Sequence, residues 1–198
     1  MKNLIAIIFL LLTLSGCQKS SIRDFQKDSK LKSIGIDSLS GYLTYADSVH
    51  TPLSGVFIQL YNYTSHVYLA SCLTDANGHY LFPSLQPGFY NLIINCNLSW
   101  MKANATDALN IELYSIGYKV FTSLQLKAAD ISGDGLVNAT DALWVKYRFL
   151  ELINYFPAGD WVFNDKPLYA VPLPNSTYGD VQGLCTGNVT NRVYTTTK

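Results

Sequence analysis

Charge is scarce in this sequence. Its 14 basic and 14 acidic side chains cancel and make up only 14% of 198 residues, against roughly 25% in an ordinary soluble domain. A protein that grips nucleic acid through bulk positive charge is therefore excluded. Glutamate is nearly missing, with Glu112 and Glu151 the two copies, so a paired-carboxylate catalyst would have to be assembled almost entirely from Asp. The three histidines, His50, His66 and His79, each fall in or beside a turn-like segment, which reads as surface loop positions rather than a catalytic or metal set. No Cys-x-x-Cys or Cys/His spacing suggests zinc. Between Ser38 and Met101 there is no Lys, Arg or Glu, and Asp47 and Asp75 are the only acids. What the chain does have is 48% apolar and 13% aromatic residues, ample for a packed core.

One long apolar run is present, Leu4 to Leu14, broken only by Thr13 and preceded by Lys2. It is too short to cross about 30 Å of hydrocarbon and reads as the apolar region of a signal. It ends in Leu14-Ser15-Gly16-Cys17, which resembles a bacterial lipoprotein signal. The resemblance implies removal of residues 1–16, acylation of Cys17 and a protein anchored by lipid at the outer membrane or cell surface, where several acyl chains on one residue hold essentially permanently. Residues 17–37 are rich in Lys, Ser, Asp and Gln, a composition that cannot repay its ordering entropy, and read as a tether. Cys72, Cys96 and Cys185 remain, an odd number. Cys72 and Cys96 either bridge, if their strands are neighbours, or sit as two small buried hydrophobes.

Residues 38–95 alternate apolar and polar positions in Gly41–Tyr45, Val56–Tyr61 and Val67–Leu73, with turn signals at Asp75-Ala76-Asn77-Gly78 and Gln86-Pro87-Gly88. The pattern predicts a small antiparallel β-sandwich. Pro52-Leu53-Ser54-Gly55-Val56, Thr74 to Phe82 and Leu85 to Tyr90 together resemble the carboxypeptidase regulatory-like and collagen-adhesin B-type family. That resemblance implies a prealbumin-like sandwich acting as a spacer or an adhesive, carbohydrate-facing module without a catalytic centre.

The most specific chemistry lies in Asp130-Ile131-Ser132-Gly133-Asp134-Gly135-Leu136-Val137-Asn138-Ala139-Thr140-Asp141. Oxygen-bearing side chains fall at loop positions 1, 3, 5, 9 and 12, with Gly at 6 where the chain turns sharply. A calcium ion needs roughly six to eight oxygens, and a loop coiled around it can present alternate residues plus a carbonyl. Asp130, Ser132 and Asp134 are the expected side-chain ligands and the Leu136 carbonyl a main-chain one. Asn138 is expected to act through water and Asp141 as the closing bidentate carboxylate. A helix should begin near Thr140, with Leu143, Tyr147 and Leu150 on one face and Asp141 complementing its dipole.

Asn104-Ala105-Thr106-Asp107-Ala108-Leu109 recurs as Asn138-Ala139-Thr140-Asp141-Ala142-Leu143, an identity of six residues at an offset of 34. Counting back from Asp107 puts Cys96, Leu98 and Trp100 at positions 1, 3 and 5, so the first copy lacks the ligands. The paired loop-helix units over 96–163 resemble the type I dockerin, which has duplicated EF-hand-like calcium repeats. The resemblance implies that Ala139, Thr140 and Lys146 contact a cohesin-like partner, although the first copy carries Glu112 where a base would match.

The expected fold class is thus mixed β plus α: a sandwich over 38–95, a dockerin-like pair over 96–163 with its second copy intact, and short strands over 164–198. The expected function is that of a non-catalytic, calcium-stabilised envelope lipoprotein that binds or presents a protein or surface glycan partner, with polysaccharide breakdown as the expected setting. The competing readings are a glycoside-hydrolase-associated enzyme, for which Asp160, Asp165 and Asp180 supply no evident pair, and a purely structural spacer.

Overall fold

The computed structural model describes residues 37–101, 103–164, 169–171, 177–190 and 192–195. The signal segment, Cys17 and nearly all of the tether lie outside the described residues. Among the described residues no helix is long and apolar enough to cross a membrane.

Five strands come first: β1 (Asp37–Tyr45), β2 (Phe57–Asn62), β3 (Tyr68–Leu73), β4 (His79–Leu85) and β5 (Gly88–Asn95). Three helices follow, α1 (Ala105–Ser115), α2 (Ser123–Ala129) and α3 (Ala139–Phe149), and then four short strands, β6 (Trp161–Phe163), β7 (Tyr169–Val171), β8 (Thr177–Tyr178) and β9 (Val181–Cys185). One sheet runs β4-β1-β9-β6 with β8 also on β1, and the other runs β3-β2-β5-β7. Pairings within 38–95 are antiparallel as expected. The C-terminal strands add a feature that the alternation pattern did not reveal, because β8 and β9 pair with β1 in parallel and make the first sheet mixed. β9 lies between β1 and β6, while β6 and β7 each end a sheet.

The pleat explains the core. Leu39, Leu43 and Tyr45 of β1 alternate inward with Tyr80 and Phe82 of β4, and Ile58 and Leu60 of β2 with Tyr90 of β5. These residues form one cluster with Ala108 and Ile111 of α1, Ala128 of α2, and Ala142 and Val145 of α3. The sheets and helices therefore share a single core. At the 75–78 turn Asp75 Oδ1 accepts from the amides of Asn77 and His79. Gly78 there has φ +74°, and a Cβ on it would lie 2.4 Å from the Leu43 carbonyl oxygen, so only glycine fits.

Cys72 lies on β3 and Cys96 just after β5, with β2 between those strands. They flank a central strand instead of neighbouring each other, and all three described cysteines are free thiols. Burial pushes the Cys96 thiol up to about 11 and that of Cys185 up to about 12.

A buried carboxylate ties the loop after β1 to the C-terminal segment. Asp47 Oδ1 accepts from the amides of Val49 and Thr51, and its Oδ2 from the Thr51 hydroxyl at 2.6 Å and the Tyr194 amide at 3.0 Å. Burial alone would raise its pKa, but these hydrogen bonds outweigh burial and hold it below the ordinary value. A carboxyl depressed in the folded state stabilises above its unfolded pKa of about 3.9, and that contribution fades as pH falls through the folded value. Asp47→Asn should cost about 1–3 kcal/mol at pH 7. Its urea midpoint should also fall less than that of the wild type when the pH is lowered from 7 to about 3, below the unfolded carboxyl value. Parallel acid sensitivity in the two proteins would remove Asp47 from this role.

Candidate metal centre

The loop 130–141 joins α2 to α3. Ile131 is fully buried and Val137 packs partly against the core, which anchors the loop. Asp130 Oδ1 accepts from the amides of Gly133 (2.9 Å) and Asp134 (3.1 Å), and Oδ2 from that of Gly135 (2.9 Å). Gly133 and Gly135 take φ +75° and +84°, the left-handed conformation that this wrap requires. Asp134 Oδ1 accepts from the Leu136 amide at 2.8 Å. Ser132 Oγ reaches toward Asp130 Oδ1 at 3.5 Å, at the outer limit of a hydrogen bond.

Asp141 is completely buried. Its Oδ1 accepts from the amides of Ile131 and Ser132, each at 3.0 Å, and Oδ2 from that of Asn138 at 2.9 Å. Asn138 in turn caps α3, its Oδ1 accepting from the Thr140 amide at 2.7 Å, and the two form a capping box. One carboxylate thus holds both ends of the loop and the start of the helix.

Three carboxylates occur in twelve residues, and none has an ion-pair partner among the described residues. No three His, Cys, Asp or Glu side chains among the described residues form a metal cage by themselves, because these carboxylates turn oxygens onto loop amides. A metal shell here would need the neutral oxygens of Ser132, Asn138 and the Leu136 carbonyl as well. That mixture, all oxygen with no imidazole or thiol, is the donor chemistry of a hard cation such as calcium.

The first copy keeps the same helix start. Asn104 caps α1 and forms a capping box with Asp107, which is also fully buried. Where Asp141 takes amides from its own loop, Asp107 takes groups from the far end of the chain. Its Oδ1 accepts from the Val189 amide (3.1 Å) and the Thr190 hydroxyl (2.8 Å), and its Oδ2 from the Asn104 amide and the Arg192 guanidinium, both at 2.9 Å. Two carbonyls and one side chain of the segment 98–100 are also taken up. Trp161 Nε1 donates to the Leu98 carbonyl, Tyr194 Oη to that of Ser99 and Trp100 Nε1 to that of Thr186. Trp100 itself faces the Arg148 guanidinium at 3.8 Å, which Phe156 also covers and Asp160 pairs. Residues 102–150 match the dockerin type I domain.

Type I dockerin domains bind calcium and dock onto cohesin domains. The match begins after Trp100 and so leaves out the part of the first loop that lacks ligands. No curated protein matches the chain. Among solved structures, the TIE protein of Bacillus anthracis aligns over 75% of this chain and 17% of its own at 11% identity and a TM-score of 0.35. BcpA, the major pilin subunit of Bacillus cereus, aligns over 76% of this chain and 30% of its own, at 11% identity and a TM-score of 0.34. A 9R-lipoxygenase from Cyanothece aligns over 33% of this chain and 11% of its own, at 17% identity and a TM-score of 0.26. The chain therefore spans less than a third of each of these proteins.

In the dockerin region α1 and α3 pack together, burying Ala108 and Ile111 against their equivalents Ala142 and Val145. The face carrying Leu143, Tyr147 and Leu150 points outward, with Leu143 42% and Leu150 62% exposed. Leu109 of α1 and Ile116 just past its end, at the same repeat positions as Leu143 and Leu150, are exposed as well. Ala139 and Thr140 are exposed at the head of α3. Lys146 is half-exposed and pairs at 2.5 Å with Glu112, its counterpart 34 residues earlier. The acid that breaks the repeat's charge symmetry thus neutralises Lys146 within the same molecule. The sequence reading missed Val189, Thr190 and Arg192, since no spacing rule connects residue 107 to residue 192. It also missed α2, although Thr122 and Gln125 form a capping box that was legible as a helix start.

Proposed function

We propose that this protein is a non-catalytic, lipid-anchored envelope protein whose dockerin region, stabilised by one calcium ion, docks a protein partner through the outer face of α1 and α3. The observation that carries the reading is the coincidence of three things in residues 102–150: the dockerin match, the oxygen-lined loop and an exposed apolar helix face. The calcium ligands would be Asp130, Ser132, Asp134, the Leu136 carbonyl, Asn138 and Asp141. The contact residues would be Ala139, Thr140 and Lys146, flanked by Leu143, Tyr147 and Leu150. Anchorage rests on the lipobox ending at Cys17, and a role in polysaccharide breakdown would follow from the partner.

The candidate acids form no described pair, which favours binding over turnover. Asp160 is held by Arg148, and Asp180 accepts from the Tyr42 amide on one oxygen. Asp165 lies outside the described residues.

The test is surface-immobilised binding to purified cohesin domains, including those of the producing organism. At least one should bind in calcium and release in chelator. Leu143→Asp should weaken binding by about thirtyfold, the scale of a buried apolar anchor worth roughly 2 kcal/mol. Binding that survives chelation, or that ignores Leu143→Asp and Lys146→Glu, would refute the docking face.

A further inference from the structure

A second recess lies on the β side of the molecule, on the outer face of the mixed sheet. Tyr42 and Thr44 alternate outward on β1, and Gln182 of β9 lies directly opposite Thr44. Asp180, just before β9, folds back so that its Oδ1 accepts from the Tyr42 amide at 3.0 Å, in the gap between the β8 and β9 pairings with β1. Its second oxygen takes no hydrogen bond among the described residues. Asn164, just past β6, accepts the Gln182 amide on its Oδ1 at 3.1 Å. His50 closes the rim, its Nδ1 3.1 Å from Gln182 Nε2. The loop holds His50 at φ +51°, a conformation that a non-glycine residue adopts at some cost and that the Asp47 hydrogen bonds next to it maintain.

These six side chains line a recess of about 330 Å³. A second, of about 340 Å³, shares His50, Asn164 and Gln182 and continues toward Thr122 and Leu124 at the start of α2. The sizes are at the lower end for small-ligand sites, roughly 300–1,000 Å³.

The chemistry of the lining selects the ligand class. With no Lys or Arg among the described residues that line either recess, a phosphate or sulfate finds no counter-charge there. A single carboxylate in the first recess is too few for a hard cation. In the first recess Thr44, His50, Asn164, Asp180 and Gln182 leave only the Tyr42 ring for an apolar molecule to shed water against. What remains is a ligand that presents donors and acceptors around its edge and an apolar face to the half-exposed Tyr42 ring, which His79 supports at 5.2 Å.

We infer that this recess is a binding site for the hydroxylated ring of a neutral sugar, with Tyr42 as the stacking platform and Asp180, Gln182 and Asn164 as hydroxyl partners. The adjoining recess takes the next ring of a chain. The site stands apart from the α1/α3 face and does not depend on the docking reading.

Calorimetric titration of the full chain in calcium with cellohexaose, xylohexaose, maltohexaose and mannohexaose tests this, together with amide chemical-shift mapping. At least one hexasaccharide should bind, shifting the Tyr42 and Gln182 amides. Tyr42→Ala and Gln182→Ala should each weaken that binding by about tenfold or more while melting like the wild type. If Tyr42→Ala fails to fold, Gln182→Ala together with the shift map decides. The proposal is overturned by three results: no binding of any of the four sugars at millimolar concentration, shifts that map elsewhere, or affinity that both substitutions leave unchanged.

Discussion

Adding calcium to chelator-stripped protein should raise its melting temperature, and one ion should bind per chain. At a free concentration a hundredfold above Kd, a ligand specific for the folded state adds about 2.7 kcal/mol, which corresponds to roughly 5–10 °C for a chain of this size. The single site follows from the loops. Asp130, Asp134 and Asp141 stand without an ion-pair partner among the described residues, whereas the first copy places Cys96, Leu98 and Trp100 at the corresponding early positions and gives Asp107 to Arg192. Asp134→Ala should abolish the shift at moderate calcium yet barely change the melt in chelator, because Asp134 is exposed and the one described hydrogen bond of its side chain is from the Leu136 amide. Asp141→Ala should do more, lowering stability in both conditions, since Asp141 also fastens Ile131, Ser132 and Asn138. Calorimetry giving two ions per chain, or a melt indifferent to calcium and chelator, would contradict this assignment.

The contrast between the two loops also marks how far the sequence could be read. The loop 130–141 was legible as a turn feeding a helix because its pattern is local: the acids, the glycines and the helix cap all fall in twelve consecutive residues. The strands of the 38–95 region were legible for the same reason, since Leu39, Leu43, Ile58 and Leu60 turn inward by strict alternation. Longer-range features were not. Nothing in Val181–Cys185 announces that it inserts beside β1 in parallel. An apolar stripe such as Leu143, Tyr147 and Leu150 looks the same in sequence whether it faces the core or the solvent, and here small residues, Ala142 with Val145, take the inward side. The recess on the mixed sheet was invisible because it draws Tyr42, His50, Asn164 and Gln182 from four separated segments.

The contrast between Asp141 and Asp107 leads to the second large effect. Burying a carboxylate is costly unless it is paired and hydrogen-bonded, and Asp107 has both a cation and several donors, from Asn104, Val189, Thr190 and Arg192. The C-terminal segment thus does for α1 what a metal loop does for a helix start, with a guanidinium as the positive charge. Asp107→Ala should cost about 3–5 kcal/mol, the scale for breaking a buried, hydrogen-bonded charge pair. Arg192→Ala should cost less, about 1 kcal/mol, since that side chain is partly exposed and its attraction is screened. Urea unfolding in calcium and in chelator should return the same loss for Asp107→Ala, because no ion is involved, whereas the loss for Asp141→Ala should grow when calcium is present. A double-mutant cycle between Asp107 and Arg192 should show favourable coupling that shrinks in high salt. If Asp107→Ala costs under about 1 kcal/mol, no more than an ordinary helix cap, or if its cost depends on calcium, the arginine does not stand in for the ion.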